Sequence, residues 1–403
     1  MHKSNISFIF LIVLLVLPQI GFTQEADADK FIDPNQSVID NLLSAIKPDS
    51  PDSVKAWNYS RVANTTCDLD TSLKYSFLSL DYCDEAYSDF EELRAYNYNI
   101  IALAYYMKDE SRKALQYRLM SAAFYNKISD KRREAGTFIH IGNCYLDLNI
   151  KDSVFYYYNK GIMCLTELKD TSYLIESYKN LGQIYASMSL YSNAVENHRK
   201  ALDYALPTNR IIDIACGYCL LGSALNQQSD TLANLAIENL AKSVRLFESA
   251  KNMQHFDIDN KHNAYMELAQ AYIKIAKQTG RSDYADSSRI YVSKASNYYK
   301  SVGSYNNYVS CRYCYVQYLV FKKKYNDALA ELLGLKKFHT DDNLILANQT
   351  YYNILYEIYL LLGDYRNALK CHEKYMEYKM ASVNDSTLNL IKDAEVERAQ
   401  MLD

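Results

Sequence analysis

The chain has 403 residues, about half of them hydrophobic and 23% charged, with a formal net charge of −4. That composition excludes a disordered polymer, and the length exceeds what one hydrophobic core supports, so several domains or an elongated array are expected. Only 11 glycines and 5 prolines occur, well under average usage, which points to helices joined by short turns and away from glycine-rich phosphate loops. No Lys/Arg run forms a basic face, so nucleic acid is not an expected partner.

Ile6 to Leu17 is an apolar run of 12 residues, interrupted only by Ser7 and followed by Pro18, Gly21 and Thr23. It is shorter than the roughly 20 residues that span a bilayer, so residues 1–23 are read as a signal peptide. The first cysteine is Cys67, which argues against a lipidated N-terminal cysteine. Residues 24–52 are acidic, contain three prolines and read as a polar leader with one short helix.

From there a period of 40 residues dominates. YNIIALAY (98–105), FIHIGNCY (138–145), YKNLGQIY (178–185) and YCLLGSAL (218–225) align, placing Ala102, Gly142, Gly182 and Gly222 in phase. Each is followed by a second pattern with small residues seven apart in most copies, such as Ala114 and Ser121, Ala194 and Ala201, or Ala236 and Ser243. Seven residues is two turns on one helix face. One helical hairpin cannot bury its apolar face alone, whereas stacked hairpins share a continuous core.

These patterns resemble the tetratricopeptide repeat family, in which a first helix carries a bulky residue, Leu-Gly and Tyr, and a second helix carries Ala, an aromatic and Ala. Tyr178, Leu181-Gly182, Tyr185, Ala194, His198 and Ala201 match most closely. The family's common period is 34, so the six extra residues are expected in lengthened helices and longer connections. The resemblance covers residues 53–380 and implies an all-α, right-handed solenoid of about eight stacked helical hairpins. Residues 381–403 lack the repeat and read as a polar C-terminal helix.

The resemblance also implies that first helices line a concave binding groove for protein or peptide. Carried over by register, the groove residues are Tyr96, Asn99, Leu103 and Tyr106, then Ile139, Asn143 and Asp147, then Glu176, Lys179 and Gln183, then Cys219, Ser223 and Asn226. Asn143, Lys179 and Asn180 are similar to part of the family's carboxylate clamp, but Ile139, Cys216 and Leu220 stand where its basic residues belong, so no such clamp is expected. Many of the 39 tyrosines are expected to pack with the hydroxyl reaching solvent or a carbonyl; others suit a binding surface.

Cys216-x-x-Cys219 and Cys311-x-x-Cys314 together imitate a four-thiolate zinc pattern. The pairs are 95 residues apart, and a stack would hold them about 40 Å apart at helix spacings of about 10 Å. Small packing residues are the expected role, with Cys216 and Cys219 as partly exposed thiols. The seven histidines show no ligand spacing, and His198 falls at a packing position. No nucleophile-elbow, P-loop or dinucleotide motif occurs. The chain is therefore read as non-catalytic, with no cofactor and no metal.

An exported array ending in a polar helix resembles the outer part of membrane-anchored sensors, which makes an extracytoplasmic sensing role the leading expectation. That reading involves a membrane only through a segment downstream of this chain. The alternatives are a free periplasmic or secreted scaffold for envelope assembly, and a metal or thiol-redox protein using the Cys pairs.

Overall fold

A computed structural model describes residues 33–83, 90–338 and 345–381. The segment read as a signal peptide and nearly all of the polar C-terminal helix lie outside those residues. The described residues are helical throughout: α1 Gln36–Ser44, α2 Asp52–Thr65, α3 Leu69–Asp81, α4 Glu91–Met107, α5 Ser111–Lys127, α6 Lys131–Asp147, α7 Lys151–Glu167, α8 Thr171–Ser187, α9 Tyr191–Ala205, α10 Ile211–Gln228, α11 Ala233–Ser249, α12 His255–Thr279, α13 Ser282–Ser301, α14 Tyr305–Phe321, α15 Tyr325–Gly334 and α16 Ile345–Leu361, then α17 over 365–381. From α2 to α17 they form eight successive pairs. Two compact units result, meeting in sequence inside α8: an N-terminal unit ending at Ser177 and a C-terminal unit beginning at Tyr178.

In the N-terminal unit α2 packs on α3, α4 on α5 and α6 on α7, and each pair leans on the next through α3 on α4 and α5 on α6. α1 falls in the stretch read as leader, yet Ile39 and Leu42 are buried against Val62 of α2. In the C-terminal unit α10 packs on α11, α12 on α13 and α14 on α15, and the first helices α10, α12 and α14 touch in turn.

The six extra residues per repeat go into the helices, not the connections. α4, α5, α6, α7 and α8 are each 17 residues long and are joined by three-residue turns. Each turn holds one left-handed residue, and these recur every 20 positions: Asp109, Ser129, Asn149, Lys169, Ser189 and Asn209. After α4 the Asp109 amide donates to the Tyr106 carbonyl and the Glu110 amide to the Tyr105 carbonyl at 2.9 Å. This Schellman-type closure satisfies the last carbonyls within three residues. Asp and Asn tolerate that conformation better than most side chains, which lets a glycine-poor chain turn so often.

The phased small residues are where second helices press in. A Cβ on Gly142 would meet the Tyr158 ring at 2.5 Å, one on Gly182 would meet His198 at 2.5 Å, and one on Gly222 would meet Leu240 at 2.7 Å. Second-helix serines close the hairpins from the other side. Ser79 donates to the Ala56 carbonyl, Ser121 to Ala95 and Ser288 to Ala269, at 2.7–2.8 Å. These bonds satisfy buried hydroxyls that would otherwise cost about 1–3 kcal/mol each.

Many tyrosines zip the two helices of a hairpin together. Tyr105 stacks on Tyr117, Tyr145 on Tyr157, Tyr178 on Tyr204, Tyr272 on Tyr291 and Tyr352 on Tyr378. Lysines from the second helices cap several first-helix rings, as Lys160 does over Phe138 at 4.2 Å and Lys294 over Tyr265 at 4.9 Å.

Candidate binding face on the first helices

The helical register sets the chemistry of this face. First-helix residues that do not touch their own second helix, or a neighbouring helix, are left to present side chains outward. In the N-terminal unit, Tyr96, Asn99, Leu103 and Tyr106 of α4 are half-buried, Ile139 and Asn143 of α6 are buried, Asp147 at the end of α6 is exposed, and Glu176 of α8 is half-buried. Ile139 turns partly toward its own hairpin, because a Cβ on Gly161 of α7 would meet its Cδ1 at 2.7 Å.

Several of these residues are linked by hydrogen bonds. Tyr106 donates to Asp147, and burial together with that carboxylate pushes the Tyr106 phenol far above its ordinary range. Ser111 also donates to Asp147, at 3.3 Å. Tyr158 of α7 donates to the Asn143 side-chain oxygen. Beneath Asn99 lies Arg118 of α5, which donates to its Oδ1. Arg118 is only 4% exposed, and its Nε has no partner. Cys144, Tyr125, Tyr106 and His140 act on it or feel its charge, none of them a carboxylate. Arg118, Tyr158 and His198 follow one another at 40-residue steps, so an arginine occupies the second-helix packing slot that rings fill in the next two copies and Leu240 in the one after.

In the C-terminal unit, Lys179 and Gln183 of α8 and Ser223 of α10 are half-buried, while Cys219 and Asn226 of α10 are buried. The Lys179 charge and burial hold His198 down at about 3, with burial the larger cause. Ser223 donates to Glu267 of α12 at 2.7 Å. Lys274 of α12 donates to the Asn226 main-chain carbonyl and pairs with Asp230 at 3.0 Å. Glu267 and Arg118 are the members of this face that sequence reasoning missed. Arg118 carried a signal, an arginine in phase with Tyr158 and His198. Glu267 is out of the 40-residue phase, but Tyr265, Leu268, Ala269 and Tyr272 repeat the first-helix pattern and place it at the position of Leu220.

The cysteine pairs differ from expectation in two respects. Cys219 is buried, while Cys216 stays half-buried. The pairs are also nearer than expected: α12 alone separates α10 from α14 on this side, about 20 Å at ordinary helix spacing. Thiols of both pairs, Cys219 and Cys314, feel the Glu267 carboxylate. Burial drives Cys219 well above its ordinary value and Cys311 and Cys314 up to about 12, which disfavours the thiolate that metal binding or redox attack requires. Among the described residues no group of three His, Cys, Asp or Glu could hold a metal ion. Nor is any described helix long and apolar enough to cross a membrane.

No family model matches the chain, and no curated protein sequence does so either. Solved structures do. The chain is similar to a signal-transduction ATPase with a tetratricopeptide repeat sensor from Pyrococcus horikoshii, with a TM-score of 0.57, 15% identity and 86% of this chain covered. It spans 53% of that protein's length, about half. It is similar also to aspartyl phosphate phosphatase F from Bacillus subtilis, with a TM-score of 0.54, 13% identity and coverage of 89% of this chain and 96% of that one. A third is a Rap protein complexed with competence and sporulation factor, with a TM-score of 0.50, 13% identity and coverage of 86% and 97%. At these identities the likeness concerns the fold alone. The chain has the all-α helical-repeat fold of tetratricopeptide-like proteins.

Proposed function

We propose that this chain is a non-catalytic binding array that takes a peptide, or an extended segment of a protein, along the first-helix face of a unit. The observation that carries this reading is chemical. The first helices present half-buried Asn, Tyr, Ser, Gln and Lys side chains in successive copies, suited to the backbone groups of an extended ligand. The Rap protein is complexed with competence and sporulation factor, and the ATPase carries a tetratricopeptide repeat sensor; both support binding as the use of such an array. The name of the Bacillus subtilis protein includes a phosphatase, but that describes the other protein, and no catalytic constellation was found in this sequence to match it.

The finer reading is that the chain works outside the cytoplasm as the sensing part of a signalling protein. The apolar run from Ile6 to Leu17 supports export, and the sensor fold supports the role. Random-peptide display against the full chain tests the binding reading: enrichment of sequences that bind with micromolar or tighter affinity is expected. Failure to enrich any peptide above an unrelated helical protein would overturn it. Fractionation of native cells tests the compartment, where a cytoplasmic product retaining residues 1–23 would contradict export.

A further inference from the structure

We propose that Glu267, with Ser223 and Asn226, forms a subsite for an arginine side chain of the bound peptide. This rests on the peptide-binding reading and names the chemistry of one position within it. Glu267 lies on α12 with its carboxylate turned to α10, where the Ser223 hydroxyl donates to Oε2 at 2.7 Å. No ion pair joins Glu267 among the described residues, and it is not fully exposed to water. A carboxylate taken from water with one neutral donor is poorly compensated. Burial accordingly pushes its carboxyl above the usual range.

The cation two turns along the same face of α12, Lys274, does not serve it. It is held by Asp230 at 3.0 Å and by the Asn226 carbonyl. A second and independent feature points the same way. Asn226 is one turn from Ser223 on the same face of α10. It is 4% exposed, and its side-chain oxygen has no donor. A buried amide oxygen without a donor is costly and rare in native proteins.

The site therefore offers a carboxylate with one neutral donor and no ion pair, and an amide oxygen with no donor, beside a hydroxyl. A guanidinium fits such a pair better than an ammonium. It is planar, carries five donors in a fork, stays charged on burial and is more weakly hydrated. The flanking Cys219 and Cys314 are buried and neutral, so the wall around the acid is apolar and strengthens the pairing.

The test is peptide display on the full chain and on Glu267→Gln, followed by titration of the best binder. Gln keeps the shape and an acceptor for Ser223 while removing the charge. We expect arginine to be enriched at one position of the selected peptides. Replacing that arginine by norleucine, or Glu267 by Gln, should each weaken binding about tenfold or more, and the two together should cost little more than either alone. The norleucine arm uses the unaltered protein, so it decides the matter even where the variant folds poorly. Peptides selected without an arginine preference, or arginine peptides that bind the Gln variant equally well, would overturn the subsite while leaving peptide binding intact. Selection of no peptide at all would overturn the peptide-binding reading itself.

Discussion

The two units treat the same repeat differently. In the N-terminal unit α4 to α7 share one length of 17 residues and one turn geometry, and a left-handed residue returns every 20 positions. In the C-terminal unit that beat continues through Ser189 and Asn209, breaks across α10 to α13, and resumes at Gly303, Lys323 and Gly363. α12 runs for 25 residues and α13 for 20, and the left-handed residues of this irregular stretch, Asn252 and Gly280, fall out of the 20-residue step. Buried charge differs as well. The regular unit hides a cation, Arg118, under its first-helix face, whereas the irregular unit half-buries an anion, Glu267, at its own. Regular repetition lets one slot vary from Arg to Tyr to His without moving the helices. A change in helix length resets the register and brings new residues to the face.

The largest effect expected from testing this contrast is in the apolar cores. Phe247 is wholly buried in the C-terminal unit and Leu165 in the N-terminal unit. Phe247→Ala should cost about 3–5 kcal/mol and Leu165→Ala about 2–5 kcal/mol. Hydrogen exchange should show the loss centred on α10 to α13 for the first and on α6 and α7 for the second, since repeat arrays are held by neighbour contacts. Uniform loss throughout the chain after either change would erase the distinction between the units.

Acid should act through His198, which is 2% exposed and held at about 3, below its ordinary 6.5. The unfolded chain binds this proton more readily, so the stability it contributes is complete above pH 6.5. It falls as pH drops from 6.5 toward about 3, by up to about 1.4 kcal/mol per pH unit. Urea midpoints measured between pH 7 and 4 check this, and His198→Phe should reduce the slope of that part of the profile, the remainder being carried by His140, which burial and then Arg118 also hold at about 3.

Close approach at the phased glycines comes next. Gly182→Ala forces a Cβ to 2.5 Å from the His198 ring and should cost about 1–3 kcal/mol by overpacking. Gly334→Ala meets nothing within 4 Å and should be neutral or stabilise by up to about 1 kcal/mol. Equal effects at the two sites would mean that the 40-residue glycine phase has no packing role.

The smallest expected effect is at Arg118. A buried guanidinium held by one amide oxygen contributes little to stability, so Arg118→Met should be neutral or stabilising by about 1 kcal/mol. A loss above about 2 kcal/mol would show that a group facing Arg118 compensates its charge in the folded chain.

Much of the architecture was legible in the sequence, because close packing demands small residues at fixed phase. Gly142, Gly182 and Gly222, with Ala114, Ala194 and Ala236, mark helix contacts that only small residues allow. The 20-residue turn beat was not legible. Asp, Ser, Asn and Lys all fill the left-handed position, so backbone conformation recurs there without residue identity. The candidate face was legible in part. Ser223 and Asn226 follow from the 40-residue phase, but Glu267 follows only from the first-helix pattern of Tyr265, Leu268, Ala269 and Tyr272, which falls outside that phase. The separation of the cysteine pairs was overestimated because first helices adjoin directly, without a second helix between them.

The most direct test of the account is hydrogen exchange of the full chain with and without a display-selected peptide at saturating concentration. Binding along the first-helix face of either unit predicts slowed exchange in that unit's first helices, α4 and α6 or α10 and α12, with α5, α7 and α11 little changed. Protection confined to α5, α7 and α11, or a bound peptide that protects none of the first helices, would contradict it.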